Sequence, residues 1–163
     1  MKKYVLAVLV ENHSGVLSRV SGLFSRRGFN IDSLTVCETK NPAQSRMTIV
    51  VKGDEYVLEQ IKKQLSKLVE VISIKHYDSH NTCQRETALI KVKASGSARA
   101  VIIETCNIYR AHIVDVDVES VIVEATGSED KIDSLIRLLE PFGILEFAKT
   151  GLTAMERGES VMS

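Results

Sequence analysis

The chain has 163 residues, and its 21 lysines and arginines are balanced by 21 aspartates and glutamates, so its formal net charge is zero. This balance disfavours a nucleic-acid binder and a polybasic membrane-surface protein, because both carry a basic excess. The hydrophobic content of 44% and the charged content of 26% are typical of a globular chain rather than a disordered one. Tryptophan is absent, so the core is expected to consist mainly of Val, Ile and Leu.

The lengths of the apolar runs and the number of cysteines indicate in which cellular compartment the protein is expected. The longest apolar run, residues 4–10, is far shorter than the ~20 residues of a membrane helix, and polar residues end it too early for a signal peptide. The three cysteines, Cys37, Cys83 and Cys106, are odd in number and have no C-x-x-C spacing, which disfavours a disulfide framework. The sequence therefore predicts a cytoplasmic protein without membrane association.

The first half of the chain predicts the element order β-α-β-β-α-β. Residues 4–10 are apolar throughout, which is typical of a central strand covered on both faces. Further strands are predicted over residues 31–38, 46–52 and 69–75. Apolar residues at helical spacing predict one helix between the loop 11–15 and Gly28, and a second over residues 55–68.

The second half repeats this order after a polar, irregular linker that is predicted at residues 78–85. The predicted strands are residues 86–94, 113–119, 120–126 and 144–148. The predicted helices are residues 97–109 and 130–140. The tail that follows residue 150 has no strong periodicity.

The two halves together predict an α+β protein of two tandem ferredoxin-like β-α-β-β-α-β domains. The first domain is predicted at residues 1–77 and the second at residues 86–163. Right-handed crossovers should place both helices of a domain on one face of an antiparallel sheet. Because the first strand is apolar at every position, the other face of the first sheet should be partly apolar, which favours association with a partner.

Two polar clusters are interpreted as surface groups rather than metal sites. His76, His80 and Cys83 offer three zinc ligands where a structural site needs four. Asp115, Asp117 and Glu119 alternate along a predicted strand, and side chains two residues apart there are about 7 Å from each other, too far to share one cation. No hydrolase, metalloprotease or phosphate-binding motif is present, and the third strand lacks the aromatic residues that an RNA-recognition sheet needs.

The loop that opens the first helix is the more informative feature. The first N–H groups of a helix lack internal partners and carry partial positive charge, so they can receive a carboxylate. Gly15 allows a ligand to approach the backbone, and the Asn12 amide can both donate and accept hydrogen bonds. The alternative is a plain turn in which Asn12 or Ser14 caps the helix with its side-chain oxygen.

The wider sequence closely resembles the regulatory, or small, subunit family of acetolactate synthase, also called acetohydroxyacid synthase. In the first half, the similarity is carried by VENHSGVLSRV at residues 10–20, GLFSRRGFNIDSLTV at residues 22–36, SRMTI at residues 45–49, and residues 59–61 and 63–68. In the second half, it is carried by residues 85–86, 89–92 and 113–116, Gly127, and residues 131–133, 150–151 and 157–158.

The resemblance implies that the first domain is an ACT domain and that the chain is a non-catalytic regulatory subunit. The implied partners are a second copy of the chain and the large catalytic subunit of acetolactate synthase, whose activity it raises. Feedback inhibition by valine, in the biosynthesis of valine, isoleucine and leucine, is also implied. Thiamine diphosphate, FAD and magnesium belong to the family's catalytic subunit, so no cofactor is expected in this chain.

The resemblance also implies an effector site between two ACT domains that pair edge to edge. The first loop and helix of one protomer form one wall, and the second-strand region of its partner forms the other. Carried over to this sequence, the first wall consists of Asn12, His13, Ser14, Gly15, Val16 and Leu17. The second wall consists of Asn30, Ile31 and Val36.

Two other kinds of protein remain as alternatives. The first is a stand-alone ACT-type amino-acid sensor or transcriptional regulator, although the sequence has no helix-turn-helix pattern and no basic patch. The second is a small enzyme with His13 as its base, for which the sequence offers no group that would orient the imidazole.

Overall fold

The computed structural model describes residues 2–163, which form two units. The first unit comprises residues 2–84 and 152–163, and the second comprises residues 85–151. Met1, with which the first predicted domain begins, lies outside the described residues. The predicted α+β class with two β-α-β-β-α-β units is confirmed.

The elements follow one another in nearly the predicted order. In the first unit they are β1 Lys2–Glu11, α1 Val16–Arg26, β2 Ile31–Glu38, β3 Gln44–Gly53, α2 Glu55–Leu65 and β4 Val71–Tyr77. A 3-10 turn at Ser79–Asn81 leads to β5 Thr82–Lys93, α3 Ala98–Tyr109, β6 His112–Val116, β7 Ser120–Gly127, α4 Glu129–Leu139, a 3-10 turn at Glu140–Phe142 and β8 Ile144–Lys149. A last strand, β9 Thr153–Glu156, belongs to the first unit.

The sheet of the first unit is antiparallel with the strand order β2-β3-β1-β4, so β1 is central and β2 lies at an edge. Alternate residues of a strand point to opposite faces. Leu6 and Val8 therefore join the helix-side core, whereas Val5 and Ala7 pack on the other face. The uninterrupted apolar run of β1 follows from this burial on both sides.

The ends of the two helices in this unit have local causes. Gly28 has a φ of 68° directly after α1, a left-handed conformation that glycine adopts at little cost. It ends the helix as predicted. Asp54 caps α2 by accepting a hydrogen bond from the Val57 backbone N–H at 2.9 Å.

The C-terminal segment, residues 152–163, covers part of the sheet face opposite the helices. Leu152 and Ala154 are buried there against Val5, Ala7 and Tyr77. This face was expected to meet solvent or a partner. In the structure the chain's own C-terminal segment covers part of it.

Hydrogen bonds also attach this segment to the edge strand and its neighbour. Leu152 donates its backbone N–H to Ser33 Oγ at 2.9 Å and accepts at its carbonyl from Thr35 Oγ1 at 3.1 Å. Arg46 Nη2 donates to the Ala154 carbonyl at 2.6 Å. The segment is therefore attached by its backbone as well as by its apolar side chains.

Acid is expected to weaken this attachment at Glu156. The Lys75 ammonium and the Ser160 hydroxyl, which both donate to the Glu156 carboxylate, hold its pKa below the ordinary value of 4.5. A lowered pKa in the folded state stabilises the protein above the unfolded value, and this contribution is lost as pH falls through the folded value. An NMR acid titration should therefore shift the Ala154 methyl signal below pH 4.5. If the Ala154 methyl signal shifts in the same way in Glu156→Gln, the carboxylate does not have this role.

The sheet of the second unit has the strand order β6-β7-β5-β8. Its core contains fully buried aliphatic side chains from strands and helices, among them Ile90, Ile102, Val123 and Leu135. The buried Glu86 carboxylate lies 3.0 Å from Lys149 Nζ. Burial acts to lower the pKa of Lys149, but the bond and charge of Glu86 outweigh it and raise that pKa.

The predicted domain ranges differ from these units in two places. Residues 82–85, expected in the linker, open β5, and only the turn before them matches the expected irregular segment. Residues 152–163, expected in the second domain, belong to the first unit. The four residues of β9 are too few to show a period, and β9 pairs with β5 and contacts Lys75 and Arg46, 81 and 108 positions away.

No helix among residues 2–163 combines the length and apolar character that a membrane-spanning helix needs.

Candidate functional site

The first helix begins without a side-chain cap. Gly15 occupies the N-cap position with a φ of 89°, and no side chain of residues 2–163 caps the first turn. The prediction that Asn12 or Ser14 caps α1 is therefore wrong. The backbone turns into the helix through a left-handed glycine, and both polar side chains lie outside the capping geometry. The Val16 N–H bonds to the His13 carbonyl at 3.5 Å, so the N–H groups of Leu17 and Ser18 are the first-turn donors left to solvent or a ligand.

Asn12 is instead attached to the hairpin between β2 and β3. Its backbone N–H donates to the Ala43 carbonyl at 2.8 Å. Its side-chain Nδ2 donates to the Pro42 carbonyl at 2.8 Å and to Glu38 Oε2 at 3.3 Å. The amide is thereby held beside the end of the edge strand.

The remaining residues of the first predicted wall divide by burial. His13 is half-exposed, with Nε2 3.2 Å from Glu11 Oε2, and Ser14 and Leu17 are exposed. Val16 is only 3% exposed and packs in the helix-side core. Its side chain is therefore not part of a surface site, which corrects that assignment.

The second predicted wall is split between the two ends of β2. Val36 pairs with Met47, which pairs with Val8 near the loop, whereas Ile31 pairs with Val51 at the far end of the sheet. Asn30 precedes Ile31, so both residues lie at the end opposite Asn12. Within one copy of the chain, only Val36 is near the first wall.

The far end of β2 has its own polar contacts. Asn30 Nδ2 donates to Asp32 Oδ1 at 3.2 Å, and Lys52 Nζ lies 2.9 Å from Asp32 Oδ2. The hydrogen bond from Lys52 holds the pKa of Asp32 below its ordinary value. The Asn30 amide keeps its oxygen as a possible acceptor for a ligand.

Glu38 is a neighbour of the candidate site that the sequence did not reveal. Its carboxylate contacts Asn12 although the two residues are 26 positions apart. A glutamate at the end of a strand is an ordinary surface residue, so no local pattern distinguishes it. Only the return of β3 along β1 brings it to the loop.

A cleft of about 690 Å³ lies in the first unit between the sheet face opposite the helices and the C-terminal segment, and Glu38 is among its lining residues. Cys37, Thr48 and Met155 contribute to its lining. Gly15 and Asn12 do not line it. We place the candidate site at the α1 terminus because the Leu17 and Ser18 N–H groups there offer directed donors to an anionic group.

Metal binding finds no support among residues 2–163. No group of three His, Cys, Asp or Glu side chains in this range is arranged to hold an ion. His76 lies in β4 and Cys83 in β5, with His80 in the turn between them.

Two family models match successive parts of the chain. The model described as the acetohydroxyacid synthase (AHAS) small subunit-like ACT domain matches residues 6–73. The model described as the small subunit of acetolactate synthase matches residues 85–158.

Individual relatives match over almost the whole chain. The acetolactate synthase small subunit of Mycobacterium bovis is 52% identical over 157 residues, covering 96% of this chain and 94% of that protein. The one from Mycolicibacterium smegmatis is 52% identical over 155 residues, covering 95% and 91%. The crystal structure of the Thermotoga maritima small subunit superposes with a TM-score of 0.92 at 41% identity, covering 98% of this chain and all of that one.

The first unit matches an ACT-domain model, the second unit matches a small-subunit model, and the identity to relatives extends over both. The chain therefore belongs to the family of acetolactate synthase small, regulatory subunits.

Proposed function

We propose that this chain activates the catalytic subunit of acetolactate synthase and makes it sensitive to feedback inhibition by valine. The effector would bind between the ACT domains of two copies of the chain. One observation carries the proposal: Gly15, the N-cap residue of α1, has no side chain that could bond to the first turn. The N–H groups of Leu17 and Ser18 can then receive the carboxylate of an amino acid.

The edge position of β2 supports a site that is shared by two copies. An edge strand exposes unpaired backbone groups and can pair with another strand. If β2 pairs antiparallel with its own symmetry copy around Leu34 or Thr35, residues 30–32 of one copy lie beside Glu38 of the other. Glu38 contacts Asn12. This pairing would therefore bring Asn30 and Ile31 of one copy next to the first wall of the other.

Apolar surface near the helix start suits a branched aliphatic side chain. Leu17 is 44% exposed and Val36 is 39% exposed. Both residues are more exposed than a large aliphatic side chain usually is, so a ligand that covers them would gain from burial, at about 25 cal/mol per Å² of apolar surface. A valine side chain could occupy this surface while its polar end meets the helix terminus and the amides.

Inhibition follows if the paired, valine-bound form and the activating form differ in their fit to the catalytic subunit. By linkage, valine can shift this equilibrium only by the difference between its affinities for the two forms. Valine binding would then depend on self-association, because each site takes residues from two copies.

Calorimetry with L-valine tests the effector site directly. We expect the dimeric full-length chain to bind L-valine in the millimolar range or more tightly, with an affinity that falls when the protein is diluted below its dimer dissociation constant. Sedimentation on the same samples would report the oligomeric state. A dimeric sample that binds no valine at millimolar concentration would contradict the proposed effector site.

Reconstitution tests the partner. Added to the catalytic subunit from the same organism, the chain should co-purify with it, raise its activity and make that activity valine-sensitive. If the chain binds valine but neither associates with nor activates that subunit, the stand-alone sensor is the better description. We propose a cytoplasmic location for the complex. We assign thiamine diphosphate, FAD and magnesium to the catalytic subunit, as the family resemblance implies.

A further inference from the structure

The Asn12 side chain has both of its donor hydrogens engaged within the chain. Nδ2 donates to the Pro42 carbonyl at 2.8 Å and to Glu38 Oε2 at 3.3 Å. Because a carbonyl oxygen and a carboxylate oxygen can only accept here, the amide nitrogen must face them. The oxygen Oδ1 is then the part of the amide that can meet a ligand, and it can only accept.

Glu38 lies on the same side of the sheet as α1. It pairs with Ser45, which pairs with the core residue Val10, and residues directly opposite in an antiparallel sheet point to the same face. The side chain is exposed and has no ion-pair partner among residues 2–163. A carboxylate whose charge has no cationic partner in this range therefore stands beside the Asn12 amide.

We propose that Glu38, with Asn12 Oδ1, binds the α-ammonium group of the effector and makes the site selective for α-amino acids. This inference rests on the proposed valine site. The polar groups would then be divided by charge: N–H donors at the α1 terminus take the carboxylate, and two acceptors take the ammonium. The tight turn before α1, in which the Val16 N–H lies 3.5 Å from the His13 carbonyl, keeps the two parts of the site close.

This division predicts which analogues the site rejects. A 2-oxo acid with the same branched tail keeps the carboxylate but has no ammonium, so it would leave Glu38 facing acceptors only. A site built to bond a polar group strongly rejects an analogue that lacks it. We therefore expect L-valine to bind at least about 10-fold more tightly than 3-methyl-2-oxobutanoate.

Isothermal titration of the full-length chain with both compounds tests the role of Glu38. The variant Glu38→Gln keeps the shape and loses the charge, so valine affinity should fall about 10- to 100-fold while affinity for 3-methyl-2-oxobutanoate stays within a few-fold. Glu38→Asp should retain part of the valine affinity. The matched control is Glu11→Gln, because Glu11 is an exposed carboxylate at the same end of the sheet whose neighbour is His13. It should leave valine binding unchanged.

The possible outcomes distinguish the role of Glu38 from the valine site on which it rests. If the wild-type chain binds valine and Glu38→Gln binds it equally well, Glu38 has no such role and the valine site stands. The same conclusion follows if the wild-type chain binds both compounds with equal affinity. If the dimeric wild-type chain binds no valine, the effector site itself is wrong, and the role of Glu38 is overturned with it.

Discussion

The variant Gly15→Asp is expected to bind valine about 10- to 100-fold more weakly, because a carboxylate at the helix start would compete with the effector's own carboxylate for charge-assisted hydrogen bonds. The open space around Gly15 leaves room for a side chain there, and its φ of 89° strains any residue that replaces it. In the reconstituted enzyme, valine inhibition should be relieved while the activation seen without valine is retained.

The matched control for this variant is Gly15→Asn. Asparagine has nearly the same shape, and both residues tolerate a positive φ better than most, so the two variants share the same backbone strain. Only the aspartate adds a negative charge. Titration calorimetry and inhibition curves should therefore show a larger loss of valine binding in Gly15→Asp than in Gly15→Asn. Equal losses would attribute the effect to the backbone, and unchanged inhibition in Gly15→Asp would place the effector elsewhere.

The variant Arg46→Met is expected to destabilise the first unit by about 2 kcal/mol and to detach the C-terminal segment. Arg46 Nη2 donates to the Ala154 carbonyl at 2.6 Å and to the Tyr77 hydroxyl at 2.8 Å, and the guanidinium lies over the Tyr77 ring. Removing it leaves the carbonyl of the buried Ala154 without this donor. The buried Arg46 Nε has no hydrogen-bond partner among residues 2–163. Replacing it removes the cost of this unsatisfied donor, which limits the loss of stability.

Chemical denaturation and limited trypsin digestion would measure the two effects. Arg157 follows β9 directly, so a detached segment should be cut there faster than in the wild-type chain. The control Tyr77→Phe removes one of the two bonds and should cost about 1 kcal/mol with little change in cleavage. If Arg46→Met is destabilised but cleaved no faster, other contacts hold the segment.

The family assignment adds a functional question to this second prediction. The C-terminal segment covers part of the face that opposes the helices and bonds to the edge strand β2 through Ser33 and Thr35. In the proposed dimer, β2 also forms the contact between copies. Measurements on Arg46→Met should therefore include self-association, since loss of the segment would leave β2 less well ordered.

The sequence determined the elements because their signals are local. The period of apolar residues marks a strand at residues 31–38 and a helix from residue 55, and the structure has β2 and α2 beginning at these positions. The end of α1 was predictable because glycine adopts left-handed conformations easily, and Gly28 has a φ of 68°. The loop at residues 12–15 was also recognisable, because a strand that runs into a helix must pass through such a turn.

Tertiary structure alone decided the contacts between distant residues. It replaced the expected side-chain cap by Gly15 and turned Asn12 toward Glu38. It also placed residues 152–163 on the first unit through the bond from Arg46 to Ala154, 108 positions away. The physical reason is shared by Asn12 and Arg46: each side chain bonds to partners that only the folded sheet brings within 3.3 Å, and no period in the chain records those partners.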